Sequence, residues 1–401
     1  MPALTFKMPT RLVHGIDSLD DLAQWAHELG MRRPLFVTDP VIKNTPVVER
    51  SLALLEQANI PIAMFDECEV DARLRQVSEQ TSRILQERLD GLICVGGGSV
   101  MCAGKAMAIC ATHEGRPFSE FAGLGGMTNK ALPQIMVPTT AGSGSEVSQM
   151  TLVKDEVNHR KFVGGGPLAF PDVAILDPIA ISSLPPTVGA QATVDALSHC
   201  IDSLFNHSTT ALTAGLAVRA AGELRRVART SIFDREPQAM ADHLLASSMA
   251  NMSCGNARLG LAHCLSLALE ANLDLLHPIG VGTLAPRVMR FNAEVEPTRL
   301  RALAQALGAS VDSIKSPAQV ATAAYEAALG FYEEIGFQLT FTADNVPQER
   351  LPELAMEAGK GLYGEGYTEA EPNRDTLIAS PNARAATIAQ GEEILAACFS
   401  V

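Results

Sequence analysis

The chain has 401 residues, more than one hydrophobic core ordinarily organises, so two domains are expected. Hydrophobic residues make up 47% and charged residues 19%, which excludes a disordered chain. A formal net charge of −14 speaks against nucleic acid or an anionic membrane as a partner, and no run of eighteen apolar residues reads as a membrane span.

The chain opens without a basic segment leading into an apolar one. Its eight cysteines (68, 94, 102, 110, 200, 254, 264 and 398) form no C-x-x-C pair, and several lie in apolar runs. A reducing cytoplasm is the expected compartment.

Residues 4–13 give a strand-like start, with Leu4, Phe6, Leu12 and Val13 apolar. Asp17 and Ser18 precede an amphipathic helix running to Leu29, with Gly30 as its stop. Residues 34–38 read as a strand ending at Asp39-Pro40, 47–57 as a helix, 61–65 as a strand and 77–88 as a helix. The buried-strand run 92–95 empties into Gly96-Gly97-Gly98-Ser99, followed by a helix over 100–108, and 133–137 and 173–176 are further strands. Alternation of this kind predicts an α/β N-terminal domain with a parallel sheet and helices on its faces. Ligands on such sheets bind at the carboxyl ends of strands, where Asp39, the Gly96 turn and the Thr139 loop all fall.

After Leu184-Pro185-Pro186 the character changes to helical periodicity. Helices are expected over 211–225, 236–251, 259–271, 297–307, 317–333 and 352–358, with a long surface loop over 359–381 and a last helix over 386–398. The division is therefore a nucleotide-binding domain over 1–183 and an all-α domain over 184–401.

Three features carry chemistry. The strand, glycine turn and helix start around Gly96, Gly97, Gly98 and Ser99 make an anion cradle of backbone N–H groups and helix dipole. The loop 138–148 holds Thr139, Thr140, Ser143 and Ser145 around two glycines, a set rich in hydroxyl and backbone donors. Asp195 and His199, four apart with no helix breaker between them, share one helix face; His263 lies in a second helical run, and His277 stands just before what reads as a break at Pro278–Gly280. One carboxylate and three imidazoles form an N/O ligand set suited to Fe²⁺ or Zn²⁺.

These motifs, in this order and spacing over roughly residues 5 to 300, resemble the iron-containing (group III) alcohol dehydrogenase family. The resemblance implies a Rossmann-like sheet followed by an all-α domain, a dehydroquinate synthase-like architecture. It further implies Asp195, His199, His263 and His277 as metal ligands and catalytic centre, in a cleft between the domains beside a nicotinamide. The expected reaction is hydride transfer between NAD(H) and a primary alcohol or aldehyde whose oxygen the metal polarises. The loop 138–148 would lie over the pyrophosphate and nicotinamide, and Lys161 would lie near the cofactor or else at the surface. Asp39 reads either as an acceptor for the adenosine ribose hydroxyls, which favours NAD over NADP, or as a turn residue before Pro40. Met150, Thr151 and Cys254 are pocket candidates by resemblance alone, and a homodimer through the first strand is expected.

The chain departs from the family pattern in three places. Leu267 stands where many members have a second His, Cys102 replaces an Asp after the glycine turn, and Pro278 follows the fourth ligand in place of Gly. Arg258, five residues before His263, would favour an anionic short-chain aldehyde if it reached the pocket, and is otherwise a surface or interface arginine. Competing readings are a metal-free enzyme resembling maleylacetate reductases, a hydroxyacid–oxoacid transhydrogenase, and a non-catalytic cofactor-binding homologue. The intact ligand set speaks against the first and the last.

Overall fold

The computed structural model describes residues 4–124, 126–158, 160–273, 275–339, 341–360 and 373–399. The chain divides into two compact units. One comprises Lys7–Pro185 and Asp234–Ser248; the other comprises Met1–Phe6, Pro186–Phe233 and Met249–Val401.

In the first unit the elements run β1 (Arg11–His14), α1 (Leu22–Glu28), β2 (Leu35–Val37), α2 (Pro46–Gln57), β3 (Ala63–Phe65), α3 (Leu74–Glu87), β4 (Leu92–Gly96), α4 (Gly98–Thr112), β5 (Gly123–Leu124), β6 (Gln134–Pro138), β7 (Met150–Asp155), β8 (Arg160–Gly165) and β9 (Val173–Leu176). Six of the strands form an all-parallel sheet in the order β1-β9-β6-β4-β2-β3. Every residue of β4 and β6 is buried, as a parallel sheet covered on both faces requires. Alternate residues serve opposite faces. Leu92, Cys94 and Met136 join the core that includes Val77 and Ile84 of α3 and Met107 of α4, whereas Ile93, Val95 and Ile135 join Leu22 of α1 and Val48 of α2.

The sequence expectation missed one part of this unit. Between the strands expected over 133–137 and 173–176 the chain forms an antiparallel hairpin, β7 paired with β8, which β5 extends to three strands. The first helix also begins one turn later than expected, because Ser18–Asp21 form a 3-10 turn ahead of α1.

The second unit is helical: α5 (Pro186–Leu204), α6 (Ala211–Arg229), part of α7 (Pro237–Ala257), α8 (Leu261–Leu273), α9 (His277–Phe291), α10 (Pro297–Ala306), α11 (Pro317–Glu334), α12 (Leu351–Ala358) and α13 (Ile388–Ala396). Here α5 packs against α6 and α9, and α8 against α9 and α12. Most of the loop expected over 359–381 lies outside the described residues. Among the described residues no helix is long and apolar enough to cross a membrane.

His243, in the part of α7 that belongs to the first unit, is 2% exposed, and burial pushes its imidazole down to about 4. The unfolded chain takes up that proton near 6.5, so between pH 6.5 and 4 the unfolded state binds more protons and stability falls as pH falls. His243→Gln should flatten the acid limb of thermal unfolding: wild type should lose about 1–2 kcal/mol more than the variant between pH 6.5 and 5. Parallel melting-temperature curves for the two proteins would contradict this.

Candidate metal centre and cofactor loop

Three helices bring the four ligand candidates together. Asp195 and His199 sit one turn apart in α5, His263 lies in the first turn of α8, and His277 is the first residue of α9. Pro278 does not break a helix but starts one: at the second position of α9 its missing N–H would have had no partner anyway. Asp195, His199 and His263 are buried, and His277 is half-buried.

One ligand atom each from Asp195, His263 and His277 lie within 4.8 Å of one another. The Asp195 Oδ1 atom is 3.5 Å from His277 Nε2 and 3.7 Å from His199 Nε2. The His199 ring stacks on His263, with centroids 5.1 Å apart and planes 16° off parallel.

Asp195 Oδ1, His263 Nε2 and His199 Nδ1 are buried and make no hydrogen bond. Each such atom costs about 1–3 kcal/mol when dry and unpaired. A divalent ion among Asp195, His263 and His277 removes that cost for Asp195 Oδ1 and His263 Nε2, and one carboxylate with imidazole nitrogens is a donor set that iron or zinc accepts. His199 stands outside that cluster and approaches Asp195 by Nε2, not by its unpaired Nδ1. The residues present fit such an ion.

Two carboxylates that sequence reasoning did not single out stand behind the histidines. Asp202 Oδ2 lies 2.7 Å from His263 Nδ1 and also accepts the backbone N–H groups of Gly260 at 2.9 Å and His263 at 3.2 Å. Its Oδ1 accepts from Ala262, so a side chain of α5 caps the open N-terminus of α8. Glu270 Oε1 lies 2.6 Å from His277 Nδ1. Spacing gives a weak signal for these acids, three after His199 and seven after His263, but their partners sit on other helices or across a turn.

Electrostatics follow the geometry. Burial alone would raise the Asp195 carboxyl, but His199, His277 and His263 outweigh it and hold the group at about 2. Burial drives the His199 imidazole down to about 4, so it is neutral at pH 7. Burial also opposes charge on His277, yet Glu270 and Asp195 raise it to about 10.

The second cluster surrounds the glycine turn. Gly96 closes β4, Gly97 caps α4, and Thr139 N–H donates to the Gly96 carbonyl at 3.0 Å. Gly98 stands against the following loop so closely that a Cβ there would lie 3.1 Å from Ser143 Cβ. Thr140 packs beside Gly97, and the Ser143 hydroxyl accepts from Ser145 N–H. Ser99 Oγ accepts from the N–H of Asp71, whose carboxylate is 3.2 Å from Lys161 Nζ, so Lys161 reaches the turn through a half-buried pair rather than lying at the surface. Asp39 Oδ1 accepts from Val41 and Ile42 N–H, closing the turn after β2.

Lys105 was not anticipated. It is fully buried in α4, and its ammonium donates to the carbonyls of Ser145, Ser148 and Met150. A single lysine inside the apolar run 100–110 was the available signal.

The pocket candidates are placed as follows. Met150 and Thr151 begin β7; Thr151 is wholly buried and its hydroxyl donates to the Cys102 carbonyl. The buried Cys254 thiol faces the Asn251 carbonyl. Leu267 is half-buried in α8. Arg258 is on no helix: it lies between α7 and α8 with φ +76°, and its carbonyl accepts from Asn206.

Comparison with known proteins decides the family. The profile of iron-containing alcohol dehydrogenases matches residues 9–178, and that of the C-terminal part of the Fe-containing alcohol dehydrogenase family matches residues 189–377. The chain belongs to the iron-containing alcohol dehydrogenase family. It is 32% identical over 323 residues to a choline dehydrogenase of Bacillus subtilis (strain 168), covering 80% of each chain. It is 30% identical over 332 residues to the lactaldehyde reductase of Escherichia coli (strain K12), covering 82% of this chain and 86% of that one. The solved structure of a 1,3-propanediol oxidoreductase superposes with a TM-score of 0.91 at 26% identity, over 99% of this chain and 100% of the other.

In this family member Lys105 ties down the loop that faces the glycine turn. Lys105→Met strips a donor from three carbonyls, at about 1–3 kcal/mol each where burial leaves them unpaired. The variant should melt earlier and bind NADH about tenfold more weakly, a loss of about 1.4 kcal/mol, with its metal content unchanged. Wild-type NADH affinity in a folded variant would show that the lysine does not shape the loop.

Proposed function

We propose that the chain is a metal-dependent, NAD(H)-linked alcohol dehydrogenase acting as an aldehyde reductase in reverse. The observation that supports it most directly is the cluster of ligand atoms from Asp195, His263 and His277 within 4.8 Å of one another, with Asp195 Oδ1 and His263 Nε2 buried and unpaired and His199 Nε2 3.7 Å from the same Asp195 oxygen. Asp195, His199, His263 and His277 would hold Fe²⁺, or Zn²⁺ in its place. When bound, the ion supplies Lewis-acid polarisation of the carbonyl, and the nicotinamide supplies or accepts the hydride.

The protein's own part is positional. Asp202 and Glu270 fix two of the imidazoles, and burial of α5 and α8 around Asp195 and His263 keeps water from their facing atoms. Gly96, Gly97, Gly98, Ser99, Thr139, Thr140, Ser143 and Ser145 are the proposed pyrophosphate contacts. The choline, lactaldehyde and 1,3-propanediol of the relatives' names point to a short, polar substrate. Arg258 lies between α7 and α8 with a left-handed backbone, and the anionic members of a substrate panel test whether it serves the pocket. We further propose a cytoplasmic homodimer: all eight cysteines are free, and β1 stands at the edge of the sheet.

NADH oxidation with a panel of cationic, neutral and anionic short aldehydes tests this reading. Activity lost on chelation and restored by Fe²⁺ is the expected result. Activity indifferent to chelation would support the metal-free alternative, tightly retained cofactor the transhydrogenase, and no turnover on any aldehyde the non-catalytic homologue. The cofactor reading has its own test. Asp39→Ser removes the carboxylate that repels a 2′-phosphate, so the ratio of NADPH to NADH use should rise at least tenfold, about 1.4 kcal/mol. An unchanged ratio would reduce Asp39 to the turn residue it also is.

A further inference from the structure

Glu270 is an unusual residue to find where it is. It lies in the third turn of α8, 1% exposed, in a helix whose neighbours Leu265, Ala268 and Leu269 are all buried. A carboxylate there is costly unless it is paired and hydrogen-bonded. Its Oε1 lies 2.6 Å from His277 Nδ1 and 2.7 Å from the Ser266 hydroxyl, one turn earlier on the same helix.

The backbone is built to permit this. Gly280, in the first turn of α9, sits so near that a Cβ there would lie 2.2 Å from Ser266 Oγ. Only a glycine lets the start of α9 settle onto the Ser266–Glu270 stretch and bring His277 within reach. Three residues in two helices are thus fitted around one ring nitrogen.

We infer that Glu270 is a positioning residue for the metal: it holds His277 with Nδ1 protonated and Nε2 turned to the site, and it adds a negative charge behind that ligand. The inference rests on the proposal that Asp195, His199, His263 and His277 bind the ion. With Nδ1–H donated to Glu270, only Nε2 carries a lone pair, and that atom lies 3.5 Å from Asp195 Oδ1. Asp202 performs the same service for His263 from α5. Counting Asp195, Asp202 and Glu270 against a divalent ion leaves the assembly one negative charge in excess. Such surroundings favour tight retention of the cation.

The two contributions can be separated. Glu270→Gln keeps an oxygen able to accept from His277 but removes the charge; Glu270→Leu removes both. Co²⁺ affinity of the metal-stripped full chain, measured by chelator competition and by the visible ligand-field spectrum, should fall about tenfold in the first and about a hundredfold in the second, the span typical of such outer partners. Far-UV circular dichroism of the metal-free variants should stay that of wild type, which separates lost affinity from lost fold, while the melting temperature of metal-free Glu270→Leu should fall because His277 loses its buried partner. Co²⁺ bound by wild type, lost in His277→Ala and retained at wild-type strength in Glu270→Leu would overturn the inference alone. Wild type binding no Co²⁺ would overturn the ligand assignment beneath it. Should Glu270→Leu not fold, the ¹⁵N shifts of the zinc-loaded wild type decide. Nδ1-protonated rings at His263 and His277 are expected, and an Nε2-protonated His277 would overturn the proposal.

Discussion

The helical unit depends on how it disposes of polar atoms it cannot hydrate. Asp195 and His199 in α5 and His263 in α8 are buried, and Asp195 Oδ1 and His263 Nε2, which cluster with a ring nitrogen of His277, have no hydrogen-bond partner. A protein tolerates one or two such groups at a cost of about 1–3 kcal/mol each, but a convergent set has one ordinary explanation, a cation that satisfies all of them together. Two carboxylates behind the histidines hold two of the rings in place. Asp202 spans from α5 to the open end of α8, and Glu270 spans from α8 to the first residue of α9. The same carboxylates that orient the rings also stitch the helices.

The α/β unit meets a different constraint with similar means. A parallel sheet buried on both faces must expose its functional backbone at strand ends, and β4 does so through three consecutive glycines. The loop after β6 is then held from beneath by a wholly buried lysine that donates to three of its carbonyls or those just beyond. Glu146 in that loop accepts from Ser248 near the middle of α7, the last residue of the stretch of that helix that belongs to the same unit.

Much of this was legible in the sequence because it is written locally. Strand–helix alternation, the glycine turn and the i,i+4 pairing of Asp195 with His199 need only short-range periodicity to be seen. The rest required three dimensions. Pro278 reads as a stop, yet the same fixed φ suits the first turn of a helix, and only the packing of α9 on α8 decides between them. The β7–β8 hairpin was hidden because its tip is charged and β8 ends in two glycines. Asp202 and Glu270 were invisible because an acid in an apolar helix announces burial but not its partner.

The central claim is that one divalent ion sits among three imidazoles and one carboxylate. Anaerobic metal analysis joined to X-ray absorption at the metal edge tests it most directly. The account predicts about one ion per chain in a nitrogen and oxygen shell, with the outer-shell scattering that several imidazole rings produce. A metal-free chain, or an ion in a sulfur-containing shell without imidazole scattering, would contradict it.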